Sequence, residues 1–119
     1  MGNRVRAVRG AIVVPDDSAE AVLRATERLL GELLARNALT HDDLISIVFT
    51  ATADLRSAFP AEAARRMGLA DVPLLCAREI EVPGALTRVV RVLAHAETDR
   101  PRLAPVYLDG AEVLRDDLD

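Results

Sequence analysis

The 119-residue sequence predicts one domain of the α/β or α+β class, a sandwich of helices on a sheet. Three observations carry this. Runs rich in β-branched residues alternate with stretches of helical spacing, no segment repeats another, and no shift in composition divides a chain of one domain's length. Residues 1–119 are therefore expected to fold as a single unit.

Residues 5–14 are small or β-branched apart from their arginines and end at Pro15, which reads as a first strand. Arg9 and Gly10 interrupt it, marking an edge or a place where something approaches the backbone. Over residues 17–36, Val22, Leu23, Thr26, Leu29, Leu30, Leu33 and Leu34 recur at helical spacing between charged residues. That is an amphipathic helix packed on a sheet. Asp17 with Glu20 resembles a capping box, and Asn37 suits a left-handed closing residue. Thr40 and Asp43 form a second cap before a buried strand at residues 44–50.

Pro60 fits the first position of a short helix through Met67, since its missing N–H has no partner to lose there, and Gly68 can end that helix. Pro73 precedes a third strand at residues 74–80. Residues 84–97 stay open between two readings: Leu86, Val89, Val90 and Leu93 fit a helix, whereas residues 89–96 fit a β-rich run equally well. Residues 101–105 read as a loop, 106–108 as a short strand, Asp109-Gly110 as a turn and 113–118 as a terminal turn of helix.

Half of the residues are apolar, yet Phe49, Phe59 and Tyr107 are the whole aromatic supply, so the core is a thin one of Leu, Val, Ile and Ala. A thin core in a short chain is often completed against copies of itself, which favours a homo-oligomer. The net charge of −4 argues against a nucleic-acid partner. All 15 basic residues are Arg, which excludes a Schiff-base lysine, a phosphate-loop lysine and Ser-Lys catalysis, and supplies planar forks suited to carboxylates. No apolar run approaches the ~18 residues of a membrane span, and the charged residues 3–9 lack the apolar block of a signal peptide. A cytoplasmic protein without a membrane partner is expected. The lone Cys76 and the two separated histidines, His41 and His95, give neither a disulfide nor ligand spacing for a metal, so no metal is expected.

Ser18, Ser46 and Ser57 lie in no nucleophile-elbow context. Cys76 sits in an apolar run, where a thiol is ordinarily an inert core group. Arg9 and Arg91 are more informative, because a guanidinium inside an apolar run must find a partner or face a cavity. The ordinary explanation for each is a salt bridge or a side chain reaching for solvent. Glu79, three residues beyond Cys76, raises the same question.

These residues belong to a longer pattern. Arg9-Gly10-Ala11, Ala51-Thr52-Ala53-Asp54-Leu55, Phe59-Pro60-Ala61, Val72-Pro73, Cys76, Glu79, residues 84–91, Val106-Tyr107-Leu108, Val113-Leu114-Arg115 and Asp117-Leu118 occur in an order and spacing that resembles the AroH-type chorismate mutases over nearly the whole chain. The resemblance implies an α+β fold: a mixed sheet with helices packed on one side, assembled as a homotrimer with a barrel-like centre and active sites between subunits. It favours a strand for residues 89–96. It implies that Arg9, Arg91 and Tyr107 bind the substrate's carboxylates and ether oxygen, with Glu79 and Cys76 at the ring hydroxyl. By the same resemblance Phe59, Leu74 and Leu75 line an apolar wall, and Arg65, Leu114 and Arg115 stand at the mouth. Glu62 departs from the pattern, standing where relatives carry a basic residue, and there it would oppose a dianionic substrate. Ile12 departs too, where Thr is frequent.

The implied reaction, the Claisen rearrangement of chorismate to prephenate in aromatic amino acid biosynthesis, is unimolecular and needs no nucleophile, acid or metal. Cationic donors and a shaped apolar wall suffice to hold the compact conformer and stabilise charge on the breaking C–O bond. A non-catalytic trimeric module binding a small carboxylate metabolite is the alternative, since fold alone does not dictate function. A small trimeric imine deaminase also places an Arg on a carboxylate, but leaves Glu79, Cys76 and Tyr107 unexplained.

Overall fold

In the computed structural model, which describes residues 2–117, the apolar runs become five strands of one mixed sheet. The elements are β1 (Arg4–Val13), α1 (Ala19–Arg36), a 3₁₀ turn (His41–Asp43), β2 (Leu44–Ala51), α2 (Pro60–Arg66), β3 (Leu74–Arg78), β4 (Val89–Thr98), β5 (Val106–Leu108) and a terminal 3₁₀ segment (Ala111–Asp117). The strand order is β3-β2-β4-β1-β5. β4 runs antiparallel to β1 and β2, while β3 lies parallel to β2 and β5 parallel to β1. Both helices cover one face, which gives the α+β architecture expected.

The core lies between that face and the helices. α1 buries Val22, Leu23, Ala25, Thr26, Leu29, Leu30, Leu33 and Leu34, and the Thr26 hydroxyl donates to the Val22 carbonyl. Opposite them stand Val8 and Ile12 of β1, Ile47 and Phe49 of β2, and Val90, Val92, Ala94 and Ala96 of β4. Gly10 marks a close approach rather than an edge, since β1 is flanked by β4 and β5. A Cβ there would lie 3.0 Å from the Val106 carbonyl oxygen and 3.2 Å from Leu29 Cδ1. Only glycine lets α1 and β5 seat this closely.

Residues 89–98 form a strand, not a helix. Pairing on both sides makes β4 central, and burial alternates along it: Val90, Val92, Ala94, Ala96 and Thr98 are buried, while Arg91, Leu93 and Glu97 are exposed. A period of two satisfies both faces of a sheet at once.

Several local expectations change. Ser18, not Asp17, caps α1, accepting from the Ala21 N–H at 3.1 Å. Asn37 is not left-handed, with φ −105°; Ala38 takes that conformation at φ 53°. Buried Asn37 instead donates to the Leu33 and Ala104 carbonyls and accepts from the Ala104 N–H, fixing the loop before β5. β3 stops at Arg78, short of the expected residue 80, although the Glu79 N–H still donates to the Ala51 carbonyl. Asp43 accepts from the Thr40 N–H, as a cap should, and α2 starts at Pro60 as expected. The terminal helical turn begins at Ala111, earlier than expected, and Leu118 lies outside the described residues.

Asp17 has another task. Its carboxylate accepts the N–H groups of Arg56 and Ser57 at 2.9 and 3.0 Å, and its carbonyl accepts the Ser57 hydroxyl. The hydrogen bond from the Arg56 N–H, helped by those from Ser57, holds the Asp17 carboxyl below the ordinary carboxylate range. A carboxyl depressed in the folded state adds stability above its unfolded value, and that stability is lost as pH falls through the folded value. The wild type is therefore expected to lose more melting temperature than Asp17→Asn between pH 6 and pH ~3, below the ordinary carboxylate value. Parallel melting shifts in calorimetry would remove this anchor from the account.

Candidate active site

Strand pairing sets which arginines meet. Ala11 of β1 pairs with Arg91 of β4 and with Tyr107 of β5, and Thr50 of β2 pairs with Arg91 from the other side. Paired residues share a sheet face, so Arg9, Ala11, Arg91, Tyr107 and Thr50 all stand on the face without helices. With Val48, Leu93 and Leu114 they line a cavity of about 250 Å³.

Arg91 is held there by Glu79. Its Nε donates to Glu79 Oε2 at 2.9 Å, and the Thr50 hydroxyl donates to the same oxygen at 2.8 Å. The Glu79 side chain is 15% exposed against 44% for Arg91, so the carboxylate is the sheltered partner and the guanidinium faces the cavity. Tyr107 is buried among Ala11, Val89 and Ala111, with Leu114 packed against this group. Arg9 is exposed on the same face, and Arg115 is exposed just past Leu114.

Phe59 and Cys76 lie elsewhere. Cys76 pairs with Phe49 and so points to the helix side of the sheet, half-buried. Together with Phe59, which is 69% exposed, it lines a groove of about 690 Å³ between β2, β3 and the loop before α2. Within one chain, then, the Glu79 and Cys76 side chains stand on opposite faces of the sheet. Leu74 is half-buried against the core, and Leu75 is exposed at the edge strand on the other face. Arg65 is exposed on α2 and lines neither cavity; Glu62 and Arg66 supply the helix's part of the groove wall.

The opposition expected from Glu62 is offset locally. Glu62 pairs with Arg66 at 2.9 Å, one helical turn on, while Arg56 and Arg78 line the same groove. The groove wall thus carries three guanidinium groups to one carboxylate, a field that favours an anion.

Sequence reasoning assigned no role to Thr50, Thr52, Asp54 or Arg88. Thr52 accepts from the Val89 N–H, Asp54 accepts from the Thr52 hydroxyl and the Arg88 N–H, and Arg88 donates through Nε to the Val14 carbonyl. The motif at residues 51–55 was a visible signal, but what it contacts lies over thirty positions away in sequence, beyond local pattern. Among the described residues no helix is long and apolar enough to cross a membrane, and no group of three or more His, Cys, Asp or Glu could hold a metal ion.

Comparison with known proteins agrees with this architecture. Residues 5–118 match the family described as chorismate mutase type I. The chain is 52% identical over 118 residues to the chorismate mutase AroH of Thermus thermophilus, covering 97% of each chain. It is 37% identical over 117 residues to chorismate mutase AroH of Bacillus subtilis strain 168, covering 96% of this chain and 92% of that one. A chorismate mutase structure from Clostridium thermocellum superposes with a TM-score of 0.88 at 47% identity, over 90% of this chain and 97% of that one. A sheet carrying Arg9, Arg91 and Tyr107 on its uncovered face, in a chain matched almost end to end, places this protein in the type I chorismate mutase family.

Proposed function

We propose that this chorismate mutase rearranges chorismate to prephenate in a site built from two chains, with the cationic face of one sheet closing against the apolar groove of a neighbour. The observation behind this reading is the split itself: Arg9, Arg91, Glu79 and Tyr107 stand on one side of the sheet, and Phe59 and Cys76 on the other. A symmetric trimer joins the two halves three times over.

Arg91 is the central group. Glu79 accepts the hydrogen bond of its Nε–H, which turns the outer edge of the guanidinium toward the substrate's ether oxygen. Negative charge grows on that oxygen as the C–O bond breaks ahead of C–C bond formation, and a preorganised cation there binds the transition state better than the ground state. Arg9 and Tyr107 hold the carboxylates in the compact conformer, and Arg115 and Leu114 border the opening with Arg65 of the neighbour. Phe59 forms the apolar wall of the groove, Leu74 backs it from the core and Leu75 adds apolar surface on the open face, while Cys76 joins Glu79 at the ring hydroxyl from the second chain. No nucleophile forms a bond and no cofactor takes part. The working unit is one domain over residues 1–119, acting in the cytoplasm.

The open face supports assembly. Val5, Leu75 and Leu93 are 60%, 63% and 37% exposed on it, an apolar surface that a single chain leaves in water. Equilibrium sedimentation of protein that consumes chorismate, followed by loss of its absorbance, is expected to give three times the chain mass of 12.9 kDa. A stable monomer of full activity would end the two-chain reading.

A further inference from the structure

Asp54 touches neither Arg91 nor the cavity that Arg91 lines, yet it sits by Arg88 at the junction where β4 begins, three residues before Arg91. β2 ends at Ala51, paired with Val90. One step further, the Thr52 N–H donates to the Val89 carbonyl at 3.1 Å, and the Val89 N–H donates to the Thr52 hydroxyl at 3.0 Å. A side-chain oxygen thus replaces the next carbonyl of the ladder. The hydroxyl has one proton, which goes to Asp54 Oδ1 at 2.5 Å, leaving its lone pairs for Val89.

Asp54 also takes the next amide. The Arg88 N–H lies 3.0 Å from Oδ2 and 3.2 Å from Oδ1. Arg88 is left-handed at φ 52°, a conformation a residue with a Cβ adopts only when its surroundings impose it. Val14 completes the clasp, donating its N–H to the Arg88 carbonyl at 2.7 Å and accepting Arg88 Nε at 3.0 Å. The ends of β1 and β2 and the start of β4 are therefore locked at one point, three residues before Arg91. The same end of β2 fixes Glu79 through the Thr50 hydroxyl and the Ala51 carbonyl.

We propose that Asp54 is a positioning residue: by holding Arg88 and Thr52 it fixes the entry of β4 and hence the geometry of the Glu79–Arg91 pair. This rests on Arg91 being the cation of the reaction. A small misplacement of such a group is costly to rate, while substrate affinity, spread over Arg9, Tyr107 and the apolar wall, changes little.

The test is a double-mutant cycle on kcat with chorismate as substrate, using Asp54→Ala with and without Arg91→Lys. Asp54→Ala is expected to lower kcat about tenfold in the wild-type background with KM nearly constant, and less than twofold beside Arg91→Lys, whose single rotatable ammonium has no fork to aim. Adding Arg88→Gly to Asp54→Ala is expected to recover several-fold, since glycine takes the left-handed turn unaided. Equal factors in both backgrounds, or wild-type kcat in Asp54→Ala, would overturn the proposal. If Asp54→Ala fails to fold, Asp54→Asn enters the same cycle under the same criteria. Full activity of Arg91→Ala would instead remove the underlying reading of Arg91.

Discussion

Arg91→Ala is expected to lose nearly all turnover while remaining folded. Deleting one preorganised donor aimed at developing negative charge costs about 3–4 kcal/mol, a hundred- to a thousandfold in rate, and a charged donor in the proposed two-chain site should cost at least that. The fold should survive because Arg91 stands on the uncovered face, half exposed, with its backbone held by β1 and β2 on either side. Arg91→Lys keeps the charge but loses the fork that meets Glu79 and substrate together, so a partial rate returns. Citrulline at position 91 keeps the planar shape, the Nε–H and one NH2 but has a carbonyl oxygen in place of the other NH2 and no charge, and almost no rate should return. Near wild-type turnover in the citrulline protein, with chorismate still bound, would contradict the electrostatic role.

The second large effect belongs to Glu79. Its removal takes the anchor from Arg91 Nε and the partner from the Thr50 hydroxyl at once, so Glu79→Ala is expected to lower kcat by about ten- to a hundredfold, as misorientation of a catalytic group does. Glu79→Gln retains an acceptor oxygen but no charge and should fall between the two. Because Glu79 lies beyond the end of β3 and the pair meets on the face away from the main core, melting temperature should move little. A variant that melts early but turns over normally would make the pair an ordinary structural salt bridge.

The helices and four of the strands were legible because their signals are local. Leucines at helical spacing buried one face of α1, and Pro60 opened α2 where a missing N–H costs nothing. The start of α1 was misread because Asp17 and Ser18 are both competent caps, and the choice was made by Arg56 and Ser57, nearly forty residues on. β4 was undecidable for a similar reason: Val89, Val90 and Leu93 fit either period, and only neighbours on both sides dictate a strand.

The candidate site residues were noticeable one at a time, as arginines and a glutamate out of place in apolar runs. What joins them is register, and register is not written locally: Arg91 meets Tyr107 only because both flank Ala11. Their roles came from resemblance to a family, and the local pattern was equally compatible with plain salt bridges. The Glu79–Arg91 bond is a salt bridge in form, and in the proposed mechanism the same contact orients Arg91. The Glu62–Arg66 pair, by contrast, was available from i,i+4 spacing alone.

The central claim is that each site takes its cations from one chain and its groove from another, and complementation between two crippled variants tests it directly. Arg91→Ala disables the cationic half. Phe59→Glu, at a position 69% exposed, sets a carboxylate on the groove wall against a dianionic substrate without disturbing the core. Each variant alone is expected to be nearly inactive. Co-refolded in equal amounts, they should recover roughly a quarter of wild-type activity, because random assembly of symmetric trimers places two intact halves together at about one site in four. A mixture no more active than the sum of its two parents would contradict the claim.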